Sequence, residues 1–388
     1  MPEAHQPETH QPQPPESAVR SDARTDASGD EIAAPILPSA PRFTLREVFV
    51  GSDGLRAGWS LLLYLALLFV LLVGTGRLAH ALRHRGDVAK PSVAAQSGPQ
   101  SSKPTAPAPP ELMTASIVLI GEGISVFAVM VATWLMAKIE RRPNSTYGLG
   151  GRRRSGNFFS GLGWGVAMLS VLVFSLRACG LLVFDARQLF GGSTFRYGLV
   201  WFAAFMLVGL FEEYLFRGYL QFTLARGING IYDWLRSFGT GANGQRPNGQ
   251  QPLGFWIAAL LISFGFGFMH HTNAGESPIG LLSASLVSMV FCLSLWRTGS
   301  LWWAIGFHAA WDWAQSFLYG VADSGMMVQG HLFRTHPVGS PIFSGGLTGP
   351  EGSLFILAIL ALCAVVILLT LPRARHSLAA STSGHMLD

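Results

Sequence analysis

Charge is scarce in this chain. Asp, Glu, Lys and Arg make up 13% of its 388 residues, against about 25% in an ordinary soluble domain, so the two or three water-soluble domains that the length would allow are excluded. Cysteine is scarce as well. Cys179, Cys292 and Cys363 each sit in an apolar stretch, without CxxC or CxxxC spacing, which excludes a disulfide framework and a cysteine metal site and makes all three packing residues. HExxH and other compact zinc signatures are missing, and no repeat of solenoid period is present. Residues 1–40, rich in Pro, Gln, Ser, Ala and acids, lack a basic segment followed by an apolar core and a cleavage site. They read as a disordered cytoplasmic tail and not as a signal peptide.

What is abundant is apolar sequence: 49% of residues are hydrophobic and the mean hydropathy is +0.36. A span needs about 20 apolar residues. Runs of that kind cover 57–76, 113–137 (interrupted by Glu122), 155–176, 252–269, 277–296 and 353–371. Two more are broken by polar residues: 197–211 runs into Glu212 and Glu213, and 298–307 runs into His308 and Asp312. The pattern predicts an all-α, polytopic transmembrane helical bundle of about eight spans. Stretches 86–110 and 239–252, rich in Pro, Ser and Ala or in Gly, Asn and Gln, are linkers. The net charge of +5 is read as topology and not as nucleic-acid binding. Basic residues crowd one set of loops, most densely Lys138, Arg141, Arg142, Arg152, Arg153 and Arg154, and the positive-inside rule then places both termini in the cytoplasm.

The broken spans carry the chemistry. A charged residue at the centre of a spanning helix costs about 2.5–3.5 kcal/mol on the translocon scale, so Glu212, Glu213 and Arg217 in VGLFEEYLFRGYLQF are not retained by chance. Glu213 and Arg217 are spaced i, i+4 and can neutralise each other, which leaves Glu212, about 100° away, free for a site. The bland alternative is that all three mark the end of a short span. His270 ends FGFMH, and His308 with Asp312 forms HAAWD, again i, i+4 on one face. At about 1.5 Å per residue, Glu212, His270 and Asp312 lie roughly 21, 24 and 20 Å from the cytoplasmic ends of their helices, and His308 about 13 Å. One intramembrane cavity can hold them. Two imidazoles and a carboxylate can bind zinc with a place left for water, and a further carboxylate can act as base. Alternatively Glu and His activate water directly.

EEYLFR (EExxxR), FGFMH (FxxxH) and HAAWD (HxxxD), in this order on separate spans, resemble the CPBP family of intramembrane proteases, also called the Abi or type II CAAX prenyl endopeptidase family. The resemblance runs from about Arg141 to Gln315 and includes RRPNSTYGLG. It implies Glu212 and Glu213 as the first-motif carboxylates, Arg217 as their structural partner, and His270, His308 and Asp312 as the remaining catalytic set. It further implies a zinc ion on His270, His308 and Glu212, or a metal-independent glutamate mechanism. Many relatives carry Asn where this chain has Asp312, which favours a ligand role or orientation of His308. On this reading 1–40 is the tail, 41–112 the first span and loop, 113–320 the protease-like core, 321–352 an outer loop, and 353–388 the last span and a short tail. The implied partners are the lipid bilayer and a membrane-associated peptide or protein, with no nucleic acid. Competing functions are a proton-coupled transporter, since buried Glu and His also serve pumps, and a protease-like scaffold without catalysis.

Other polar residues have plainer readings. His271 adjoins His270 but points elsewhere and does not complete FxxxH. Glu122 is a pore group or an interfacial residue, and Asn273 a helix cap. His331 and His336 are solvated. Trp302, Trp303, Trp311 and Trp313 are an interfacial belt or packing around the seventh span.

Overall fold

In a bilayer an unpaired backbone N–H or C=O has no water to bond to, so a crossing segment must close its hydrogen bonds within itself. The apolar runs do so in the computed structural model, which describes residues 49–51, 54–87, 112–240, 252–273 and 275–372. They form α1 (Ala57–Asp87), α2 (Ala115–Ile139), α3 (Arg154–Ala178), α4 (Gly191–Glu213), α5 (Gln221–Thr240), α6 (Pro252–Met269), α7 (Pro278–Thr298), α8 (Trp302–Trp313) and α9 (Phe355–Thr370). The architecture is a bundle of membrane helices. The expected tail 1–40 and most of both linkers, 88–110 and 241–251, lie outside the described residues.

Each of the eight apolar runs becomes helical, and among the described residues six helices are long and apolar enough to cross a membrane, with Phe355–Thr370 a shorter apolar one. α8 has 12 residues and runs on through a five-residue π turn, Ala314–Leu318, and α9 has 16, about 25 and 24 Å at ~1.5 Å per residue, against a hydrocarbon core about 30 Å thick. The fourth run departs in the other direction. It does not break at the glutamates: α4 passes into a π-helical segment, Tyr214–Leu220, and on into α5, so one path of 46 residues, Gly191–Arg236, remains apolar enough to span. Side chains that would be costly in water face outward, among them Leu369 at 80% and Phe264 at 69% exposure, as a lipid-facing surface requires. Cys292 and Cys363 are buried as expected, whereas Cys179 is exposed, because it caps the end of α3.

Close packing fixes α8. A Cβ at Gly165 would lie 2.4 Å from the Phe307 carbonyl oxygen, and one at Gly306 would lie 2.3 Å from that of Phe158. Only hydrogen at these positions lets α3 and α8 approach backbone to backbone, the device of small residues at membrane-helix crossings. On the other side of the bundle, α1, α2 and the π segment meet at Tyr64, whose ring stacks on Tyr219 at 3.9 Å and whose hydroxyl lies 3.2 Å from Thr133 Oγ1.

Short strands tie the loops down. β1 (Leu112–Met113) pairs in parallel with β3 (Met327–Val328), and β2 (Leu182–Arg187) pairs antiparallel with β4 (Phe333–Pro337). The segment after α8 is thereby attached to the starts of α2 and α4.

Candidate active site

Glu213 is fully buried, and a buried carboxylate must find partners. It finds two. Arg217 Nη1 donates to Glu213 Oε1 at 2.9 Å, the i, i+4 pair expected from the sequence, and His308 Nδ1 lies 3.0 Å from the same oxygen. Facing a carboxylate, Nδ1 is the donor, so Glu213 sets the position of its proton and the angle of the ring. The Arg217 guanidinium lies 4.3 Å from the centre of the Phe266 ring, a cation–π contact that ties α6 to the same group.

With Nδ1 taken, His308 turns Nε2 toward Glu212 Oε2 at 3.7 Å and Asp312 Oδ2 at 3.5 Å. Both carboxylates, His308 and His270 line one cavity of about 410 Å³. The π segment starts directly after Glu213, and a second, Ala314–Leu318, follows α8 just beyond Asp312. Such departures from α geometry occur where a helix must re-aim side chains at a site.

His270 forms the first residue of a short 3-10 turn after α6, with Nδ1 2.8 Å from the Phe266 carbonyl. A carbonyl only accepts, so Nδ1 carries the proton and Nε2 is the free acceptor. His271 is exposed, turns Nδ1 to the Phe268 carbonyl, and is not part of the cavity wall. Asn273 caps the turn, as expected, and also lines the cavity; Glu122 does so as well.

Asp312, expected either as a ligand or to orient His308, lies at Nε2 of the ring, while the Nδ1–H is held by Glu213. The zinc set is not assembled. Among the described residues no three His, Cys, Asp or Glu side chains are grouped to hold a metal ion, and His270, His308 and Glu212 do not form such a group.

Sequence reasoning missed three acids. Asp323 and Glu351, from the expected outer loop, line the same cavity. Burial, together with Asp312 and Glu351, raises the Asp323 carboxyl well above the ordinary range, and Ser316 Oγ donates to its Oδ2 at 3.2 Å. No spacing in the sequence marks either residue, because acids in a polar loop are common. The third is Glu140, buried at the end of α2, which accepts from the hydroxyls of Tyr147 and Tyr219 at 3.0 Å each and from Arg226 Nη2 at 3.3 Å. Its signal was its place directly before RRPNSTYGLG, which contains Tyr147. Of the other residues considered, Trp303 and Trp311 are packed in the core, and His336 pairs with Asp185 at 3.0 Å on the surface.

The stretch holding Glu212, Glu213, Arg217, His270, His308 and Asp312 is the one that known families recognise. Residues 194–314 match the Rce1-like type II CAAX prenyl endopeptidase family. The match agrees with the CPBP resemblance and supports a CAAX-type membrane endopeptidase. No curated protein and no solved structure matches the chain. Every side chain of the three motifs lies inside the Rce1-like segment, whereas Glu122, Glu140, Asp323 and Glu351 lie outside it.

Proposed function

We propose that the chain is an integral membrane endopeptidase that hydrolyses a peptide bond of a membrane-associated peptide or protein, using water activated by Glu212 and His270. The observation that carries this reading is the convergence of Glu212, His270, His308 and Asp312, from three separate stretches of chain, on one cavity. Glu212 takes a proton from water as the water oxygen adds to the scissile carbonyl carbon. His270 Nε2 accepts from the same water and orients it. His308 Nε2, between Glu212 and Asp312, relays the proton to the amide nitrogen, whose bond to carbon then breaks to give an acid and an amine. Glu213 and Arg217 do not touch substrate; they hold His308. The apolar wall formed by Phe205, Val208 and Phe291 suits the hydrophobic part of a membrane substrate. The basic cluster Lys138–Arg154 supports a cytoplasmic position for the loop after α2.

The test is cleavage of a fluorogenic membrane peptide by purified protein, with and without chelator, beside Glu212→Gln. Wild type should cleave with or without chelator. Glu212→Gln should lose the rate by at least about a hundredfold, the scale of general-base catalysis, while melting at the wild-type temperature. Cleavage by Glu212→Gln at the wild-type rate sinks the assignment.

A further inference from the structure

One hydrogen bond on the site helix comes from the chain that follows the family segment. Trp311 Nε1 donates to Glu351 Oε1 at 2.6 Å, and Ser324 Oγ donates to Glu351 Oε2 at 3.5 Å. Trp311 is 5% exposed, sits one residue before Asp312, and lines the cavity together with Glu351. Glu351 is placed by a turn that accepts only glycine before it: Gly349 has φ 101°, and a Cβ there would lie 2.0 Å from the Ala322 carbonyl oxygen.

α8 carries two parallel columns at i, i+4 spacing. One is aromatic: Trp303 stacks on Phe307 at 5.0 Å, and Phe307 on Trp311 at 5.6 Å. The other is polar, His308 with Asp312, one residue further and so about 100° around the helix. Turning α8 about its axis moves both columns together. His308 keeps its 3.0 Å contact with Glu213 only at one azimuth. Beyond Trp313 the helix passes into π geometry, so the regular α ladder does not carry the constraint further, and Glu351 grips the last ring of the aromatic column at that point.

We infer that Glu351 is a positioning residue of the reaction: by holding the Trp311 indole it fixes the azimuth of α8 and thereby the aim of His308 and Asp312 into the cavity. The outer segment is then part of the working enzyme. This role rests on the proposed peptidase activity.

The test compares wild type with Glu351→Gln, Glu351→Ala, Trp311→Phe and the Trp311→Phe/Glu351→Ala pair, each by kcat, KM and melting temperature on the same peptide. Glu351→Gln keeps an oxygen that accepts the indole N–H and should stay within about threefold of wild type. Glu351→Ala should lose about tenfold or more in kcat, the scale of one hydrogen bond to a charged group, with KM little changed. In the Trp311→Phe background the donor is already gone, so adding Glu351→Ala should cost less than about twofold. A Glu351→Ala variant with the wild-type kcat, or one that loses as much in the Trp311→Phe background as in wild type, overturns this role and leaves the peptidase reading intact. A wild-type protein that cleaves nothing overturns the peptidase reading and this role with it.

Discussion

Three carboxylates around one imidazole do different work because they differ in what neutralises them. Glu213 is matched by Arg217 and uses its oxygen to hold His308. Glu212 and Asp312 have only the Nε2 side of the ring, at 3.7 and 3.5 Å. Removing the cation therefore strands the deepest charge: Arg217→Ala should cost about 3–5 kcal/mol of stability, the penalty for breaking a buried pair from one side, seen as lost expression or a lower melting temperature. Adding Glu213→Gln to it should recover part of that loss. Asp312→Asn should behave otherwise. Since Glu213 sets the ring, Asn at 312 leaves the tautomer and the fold alone and removes only a charge beside Nε2, so kcat should fall about tenfold with an unchanged melting temperature. A rate at or above wild type would take Asp312 out of the proton path.

At the level of helices, His308 is aimed by how α8 crosses α3. Gly165→Ala drives a Cβ toward the Phe307 carbonyl, 2.4 Å away before relaxation. Overpacking of this kind costs about 1–3 kcal/mol, and it shifts the residue before His308, so stability and rate should fall together. Gly163→Ala is the control, with nothing within 4 Å of its Cβ, and its melting temperature should hold. The same helices show what a linear sequence makes readable. Glu212, Arg217, His308 and Asp312 stand out because a charge in an apolar run is costly enough to need a reason, and the Glu213–Arg217 pair follows from 3.6 residues per turn. The long-range pair does not: nothing local says that His308 turns Nδ1 to Glu213 and leaves Nε2 for Asp312. Nor does hydropathy register the π segments, which change hydrogen bonding without changing polarity. Glu351 stayed hidden for the opposite reason, since an acid in a polar loop costs nothing that would call for an explanation. The seventh run was legible as apolar, but the start of its helix at Trp302, not Thr298, depends on the Gly299 turn, whose left-handed φ of 65° ends α7.

The whole molecule joins a membrane bundle to an outer segment through a shared cavity, and this junction gives it a pH dependence. Burial, with Asp312 and Glu351 nearby, raises the Asp323 carboxyl well above the ordinary range. In the unfolded chain an Asp titrates at about 3.9, so the folded state binds the proton more tightly. The stability it contributes is fully present below about pH 4 and is lost as pH rises through the raised folded value. Melting temperature should therefore decline with pH across that window, and Asp323→Asn should flatten the decline; an unchanged slope would remove Asp323 from the linkage.

The short α9 has a consequence for the lipid. α9 packs in one cluster with α3 and α8, and its other face is open, with Val365, Leu368 and Leu369 exposed on a helix about 24 Å long. An acyl tail laid against that face would have to shorten or let its headgroup sink, a deformation of fractions of a kcal/mol per ångström. The bundle thus offers its surroundings a lower wall at α9 than along its long helices.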